Sequence, residues 1–555
     1  MISWVLACGS PEATDPTDPT QPWHEPAPPL LADDDPDPAR FAATITAAPA
    51  RWELAPGVFV DGHAYNGVVP GPLVRVPVGT QVAITFANAA GWEDTIHWHG
   101  IEANNAADGT GVTQAHVHDG GSFLYEFVPP RPGLYWYHPH ARAAQGVFNG
   151  LYAPLIVDDP DEQRLRDLGI LPSEERVLVL SDVSVTASTP WSLEVDNAMT
   201  TMNGIEGNHL LVNGREDPTF DVPAGGAVRL RVVNSSATRF WRLSVPGRTL
   251  YRIGGQGGLL DRVVVEGGSI TGKRLSLIDG TELGTTEVPT GFPKGEIVLA
   301  PAERADLVLT TEGDVGDVLK LRWEDVARGR HDHWMEGDTM VMGDAADDGT
   351  RPGDDVATFT LVKGPATPWT LTEGSDVLAA IGRSVGRVDV TGAVVREGTS
   401  AMVFSETMEM VQATDGQWVM TGELFLDGVT WRPDAHTGPD APAAPTSFDV
   451  PLGSTLAWEI RNESDMSHPS HIHGFSYQVT RWRLEDEEAG EAVEWDAPYD
   501  EFVDTTLLPG NSSAFVAMPI VDPIGTGGAL GRWMRHCHIL QHGEAGMASE
   551  FRVVP

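Results

Sequence analysis

Thirteen residues near the end of the chain, Arg535-His536-Cys537-His538-Ile539-Leu540-Gln541-His542-Gly543-Glu544-Ala545-Gly546-Met547, hold one cysteine, three histidines and one methionine. Thiolate and thioether are soft ligands and imidazole is intermediate, so this set suits copper better than calcium or magnesium. One thiolate, a nearby histidine and a weak axial methionine describe a blue-copper electron-transfer site. Such a site needs a second histidine from elsewhere. The histidines that flank Cys537 need an explanation of their own.

Of the chain's six His-x-His pairs, four carry the metal reading: His97/His99, His138/His140, His471/His473 and His536/His538. On a strand, residues i and i+2 point to one face, so each pair aims two imidazoles at one place and its middle residue away. Eight imidazoles are too many for one ion and suit a cluster of about three, provided the segments that carry them face each other. The middle residues are Trp98, Pro139, Ile472 and Cys537. Cys537 therefore points away from the cluster and binds a separate copper, while its covalent neighbours His536 and His538 bind the cluster. His468 lies outside the 471/473 pair and can supply the missing imidazole beside Cys537.

The elements that must position these groups repeat. Val76-Pro77-Val78-Gly79, Val222-Pro223-Ala224-Gly225 and Val450-Pro451-Leu452-Gly453 each open an alternating apolar stretch, with Asn88, Asn234 and Asn462 nine residues after the glycine. Alternation marks a strand with one buried face, and three such units imply three related β-sandwiches. Histidine motifs follow the first and third copies. Ser235-Ser236-Ala237-Thr238 follows the second, so the middle unit reads as a spacer without ligands.

A chain of 555 residues needs about three or four domains of ordinary size, and plentiful Gly and Pro with little helical periodicity favour a β-rich fold. A net charge of −43 argues against nucleic acid and against docking on anionic lipid. Of two cysteines, Cys8 and Cys537, the second is claimed by metal, which leaves no disulfide. Residues 1–8 read as the truncated end of a bacterial lipoprotein signal, Cys8 being the lipidated residue and membrane tether of an exported periplasmic or cell-surface protein. Residues 9–45, rich in Pro and Asp, read as a disordered tether. Domains are placed at 46–165, 166–365 and 366–555. Sequons at Asn234, Asn462 and Asn511 mean little in a bacterial protein.

Taken in order, His97-Trp98-His99-Gly100, Trp136-Tyr137-His138-Pro139-His140, His468-Pro469-Ser470-His471-Ile472-His473-Gly474 and the stretch ending at Met547 resemble the motifs of three-domain multicopper oxidases, over about residues 55–555. The resemblance implies an all-β chain of three cupredoxin-like Greek-key β-sandwich domains, monomeric, with four copper ions. It implies a type 1 copper on His468, Cys537, His542 and Met547, and a type 2 copper on His97 and His471. One type 3 copper would take His99, His138 and His538, and the other His140, His473 and His536. A small reducing substrate would give single electrons through the exposed edge of His468, and dioxygen would be reduced to water. Asp108 falls where the family places an acid near the type 2 water, and reads as a proton relay. A second acid is common directly after the loop histidine. Here that position is Gly543, and Glu544, one residue later, reads either as its substitute or as a solvated loop carboxylate.

The substrate class is a phenol or aromatic amine, as in laccases. The alternatives are Cu(I), Fe(II) or Mn(II), or a copper carrier without turnover, against which the eight imidazoles argue. His331-Asp332-His333-Trp334-Met335, with Met340 and Met342, is the one candidate for a soft-metal insert, and it reads as a surface loop or edge hairpin. His116 and His118 read as solvated. Gly254-Gly255-Gln256-Gly257-Gly258 reads as a turn and not a phosphate loop, because no βαβ pattern surrounds it.

Overall fold

The computed structural model describes residues 24–186, 189–190, 203–328, 333–336, 339–342, 353–366, 368–396, 402–412, 418–427, 429–431, 442–486, 489–522, 525 and 527–555. Cys8 lies outside them, and so do the side chains of the 331–342 segment, whose backbone forms a hairpin of His333–Glu336 with Thr339–Met342.

The fold is all-β. Two four-stranded sheets form the first sandwich, and one of them carries Gly133–Pro139 between Ala153–Asp158 and Ile96–His99. A six-stranded and a five-stranded sheet form the second. In the third, a five-stranded sheet holds Gly531–Cys537 between Ala548–Val554 and His468–Ile472, and it packs on a larger sheet. The larger sheet crosses a boundary, because the hairpin Ser269–Ser276/Glu282–Pro289 of the second sandwich pairs with Glu491–Asp496 of the third.

Alternation explains the strands. Gln81–Asn88 and Thr455–Asn462 bury every second side chain. In Ala227–Asn234 all eight residues are buried, because Arg229 and Arg231 on the outer face are covered by Glu162, Glu175 and Asp306. Each sandwich has its own apolar core, and each fully buried Leu, Ile, Val or Phe contributes about 1.5–3 kcal/mol. A further core joins them where Trp52, Trp136 and Phe148 of the first meet Val179 and Val233 of the second and Leu540 of the third.

The repeated residues do the same work three times. Gly79, Gly225 and Gly453 have φ of +83°, +82° and +83°, a left-handed turn in which a side chain would be strained. Each asparagine is buried and ties its strand end to the next loop. Asn88 Nδ2 donates to the carbonyls of Trp92 (2.8 Å) and Val117 (2.7 Å). Asn234 Nδ2 donates to Arg239 (2.8 Å) and Leu299 (2.9 Å), and Asn462 Nδ2 to Met466 (2.7 Å) and Leu508 (3.1 Å). Asn234 and Asn462, fully enclosed, are closed to glycosylation.

Residues 24–45 correct the expected tether. Arg40–Ala55 is a strand, paired in parallel with Gln81–Asn88 and antiparallel with Val58–Tyr65. Ahead of it, Leu31 N–H donates to Leu73 O (2.9 Å), Leu73 N–H donates to Pro29 O (2.8 Å), and Arg176 binds the Glu25 carboxylate (3.0 Å). The segment is held by backbone pairing, by an ion pair and, at its end, by Phe41, Ala43 and Ile45 in the first core.

Candidate metal centre

Strand register brings the histidines together. Ile96–His99 runs antiparallel to Gly133–Pro139 with His97 opposite His138. His468–Ile472 runs antiparallel to Gly531–Cys537 with His471 opposite His536. The alternation sends Trp98 into the core of the first sandwich and Ile472 and Cys537 into that of the third. The histidines on the other face meet across the boundary: His99 stacks on His471 (centroids 3.9 Å, 19°) and His97 lies 4.1 Å from His473. Ligand atoms fall within 4.8 Å of one another in the groups His97/His99/His471, His99/His138/His538 and His140/His473/His536.

The donor set fits metal. Imidazole Nδ1 atoms of His97, His138, His471 and His536 stand 2.7, 2.8, 3.0 and 2.9 Å from the carbonyl oxygens of Asp108, Pro139, Asp504 and Cys537. A carbonyl only accepts, so each Nδ1 carries the hydrogen and each Nε2 is left with a lone pair. Nε2 of His97, His99, His138, His471 and His538 is buried and has no hydrogen-bond partner among the described residues. A cluster of unpartnered buried lone pairs is costly unless a cation takes them. Burial first, then the neighbouring imidazoles, pushes the pKa of His97, His99, His138, His140, His473 and His538 well down, and burial lowers His536 to about 3. Neutral imidazole is the metal-binding form.

A second group lies on the core side of the same strand. Cys537 Sγ is 3.5 Å from His468 Nδ1 and 3.6 Å from His542 Nδ1, and these two nitrogens are 3.2 Å apart. Met547 shares this core, and its carbonyl accepts from Cys537 N–H (3.0 Å). Burial pushes the Cys537 thiol up, so a bound metal has to displace its proton. His468 departs from expectation, since its edge is not exposed. It is fully buried, its Nε2 stands 2.9 Å from Ser464 Oγ, and Ser467 N–H donates to Arg328 O of the second sandwich (2.8 Å).

Acids stand behind the cage. Asp108 Oδ1 is 3.2 Å from His473 Nδ1 and 3.6 Å from His97 Nδ1, and burial pushes its carboxyl up to about 7. Asp504 Oδ1 is 3.4 Å from His99 Nδ1 and 3.5 Å from His471 Nδ1. Burial would raise it, but the Arg304 guanidinium prevails and holds it well below the usual carboxylate range. Glu544 is neither next to a ligand nor a free loop carboxylate. Its Oε1 accepts from Ala144 N–H (2.9 Å) at the start of helix Ala143–Phe148 in the first sandwich. It lines a cleft of about 610 Å³ that reaches His140 and His536 and passes His116. The protein around Glu544 pushes its carboxyl up toward about 7, while its edge is exposed to cleft water, which moderates the rise.

Sequence reasoning missed Asp504 and Arg304. The signals were a charge heading the apolar run Ala305-Asp306-Leu307-Val308-Leu309 and an acid just before Thr505–Leu508. It read Gly254–Gly258 as a turn, and the residue that matters there is Gln256 at the hairpin apex, buried against Asp504.

Two profiles, each described as Multicopper oxidase, match residues 47–162 and 409–555. The chain is 25% identical over 537 residues to Multicopper oxidase MmcO of Mycobacterium tuberculosis, covering 91% of this chain and 86% of that protein. It is 26% identical to Laccase-1 of Botryotinia fuckeliana, covering 90% and 79%. The fold is similar to that of McoA multicopper oxidase from Aquifex aeolicus, with a TM-score of 0.69 and 25% identity over 96% and 99% of the two chains. Profile matches at both ends, relatives along most of the length and a cage that joins those same two ends mark the two ends as multicopper oxidase domains and the chain as a copper-dependent oxidoreductase.

Proposed function

We propose that the chain couples one-electron oxidation of a small reducing substrate, a phenol or aromatic amine, to reduction of dioxygen to water, using four copper ions. One observation carries this reading. Cys537 joins His468 and His542 on one face of a strand, while its neighbours His536 and His538 join the cage on the other. Type 1 copper would be held by His468, Cys537, His542 and Met547, and type 2 by His97 and His471. The type 3 pair would be held by His99, His138 and His538, and by His140, His473 and His536. Copper held by these residues would supply one-electron redox chemistry at the thiolate site and multi-electron chemistry toward dioxygen at the cage.

The protein supplies the rest. The backbone of Cys537 joins the two sites through covalent bonds alone. Asp108, against His473 and His97, holds a proton where dioxygen needs one. Glu544 collects protons from cleft water in place of an acid at Gly543. A Cβ at Gly543 would lie 3.1 Å from Cys537 O, tight quarters for a larger residue. Because His468 is covered, donors dock outside Ser464, between the exposed carboxylates of Glu463 and Asp465. That pair favours cationic donors and supports a second reading, oxidation of Cu(I), Fe(II) or Mn(II).

Turnover of a phenol against Cu(I) and Fe(II), with and without replacement of Met335, Met340 and Met342, tests the preference. Metal oxidation that dominates and collapses in the variant would overturn the phenol reading. We propose further that the protein acts as a monomer outside the cytoplasm, anchored through lipidated Cys8. Labelling with a radioactive fatty acid that persists in Cys8→Ala would contradict the anchor.

A further inference from the structure

Arg304 and Asp504 form a buried ion pair at the junction of all three sandwiches. Arg304 Nη1 donates to Asp504 Oδ1 (2.8 Å) and Nη2 to Oδ2 (2.5 Å), a two-pronged fit that a guanidinium makes and an ammonium does not. Its Nε donates to Leu134 O (2.8 Å) on the strand that carries His138, and Nη1 also to Ala302 O (2.9 Å). The same Nη1 lies 3.5 Å from His99 Nδ1. Gln256, also of the middle sandwich, closes the other side. Its Oε1 accepts from Asp504 N–H (2.9 Å) and Thr505 N–H (3.0 Å), and its Nε2 donates to Thr505 O (2.8 Å).

The chain makes room for this junction. Gly100, next to His99, has φ +85°, and a Cβ there would lie 2.3 Å from Asp504 Oδ2 and 2.6 Å from Arg304 Nη2. A Cβ on Gly257, beside Gln256, would lie 2.4 Å from Phe502 O. The locked Asp504 stands behind His99 of the first sandwich and His471 of the third, whose rings are stacked. Thr505 Oγ1 donates to Asp504 Oδ1 (2.9 Å) and stands 3.1 Å from His471 Nδ1.

We propose that Arg304, with Gln256, is a positioning residue of the copper cage: the ligand-free middle sandwich fixes Asp504, and through it the orientation of His99 and His471. The inference rests on the copper reading of the cage. Partners behind a metal-bound imidazole set its tautomer and ring angle, and losing them weakens metal affinity about 10–100-fold. A pair that only glued the sandwiches together would affect stability and leave the copper sites in proportion.

The test uses the full chain loaded with copper, in competition with a chelator. Electron paramagnetic resonance separates the blue signal from that of the cage, and total copper per chain and thermal midpoint are read alongside. Arg304→Lys keeps the charge and loses the fork. The double variant Arg304→Met/Asp504→Asn strands no charge, so it folds if the single variant does not. The expected result in either is cage copper held about 10–100-fold more weakly with the blue site unchanged. Cage copper held as in the parent, or both sites weakened equally, would overturn the inference. A parent chain that binds copper only at Cys537, or not at all, would overturn the copper reading of the cage and the inference with it.

Discussion

Asp108 and Asp504 hold equivalent places behind the cage, each spanning one imidazole from either end of the chain. Asp108 faces His97 and His473, and Asp504 faces His99 and His471, all at 3.2–3.6 Å. Their charges are controlled in opposite ways. Arg304 keeps Asp504 ionised against its burial, whereas burial dominates at Asp108 and pushes it up to about 7. Two carboxyls driven apart by their surroundings take different tasks. On the proposed reading, Asp504 serves as a fixed anion and Asp108 as the proton carrier.

Asp108→Asn keeps the shape and removes the proton. Dioxygen reduction should fall about 10²–10⁴-fold, the usual share of a positioned acid, with blue absorbance and copper content retained. Near-parent turnover would assign the relay elsewhere.

Cys537→Ser should abolish the blue colour and oxidation of the donor while the histidine cage still takes up copper, since the side chain at 537 points into the core and not into the cage. Persisting turnover of a phenol would refute the route through Cys537. The reverse is expected for His97→Ala, which should spare the blue copper and stop dioxygen reduction.

Copper loading should release few protons from the cage. Burial lowers His97, His99, His138, His140, His473, His536 and His538, which favours their neutral form at pH 6, where an ordinary histidine is about three-quarters charged. The Cys537 thiol, raised by burial, should release its proton on binding. In a pH-stat titration of Asp108→Asn, which removes the carboxyl pushed up to about 7 beside the cage, release should stay flat from pH 8 down to about 6, and adding Cys537→Ser should make it about one proton smaller. Release that climbs steeply toward pH 6 would mean the imidazoles titrate normally.

Asn234→Ala leaves the buried carbonyls of Arg239 and Leu299 without their donor. A loss of about 1–3 kcal/mol per stranded group is expected, read as a lower thermal midpoint with copper content unchanged. An unaltered midpoint would show that the repeated asparagine is not a staple.

The cage was legible because it depends on local periodicity. His97/His99 and His536/His538 share faces by strand alternation, and the same rule turns Cys537 away, whereas the meeting of the pairs and the approach of His468 and His542 to Cys537 depend on packing. The threefold Val-Pro-x-Gly to Asn spacing was legible for a similar reason, as each copy is one turn and one strand. What escaped depends on docking between distant segments. Arg304 meets Asp504 across 200 positions, and a charge at each strand start does not say that the two pair. His468 looked exposed because its cover comes from Ser464 folding over it and from Arg328 of another sandwich. Residues 24–45 looked unstructured because their apolar side chains are few, and the three that enter the core, Phe41, Ala43 and Ile45, do so through strand pairing that composition does not count.

The most direct test of the central claim is the stoichiometry of dioxygen consumption by the copper-loaded protein with a one-electron phenolic donor, measured with an oxygen electrode and a peroxide assay. The account predicts four donor molecules oxidised per dioxygen with no hydrogen peroxide. Two donors per dioxygen with peroxide released, or no uptake with any donor, would contradict it.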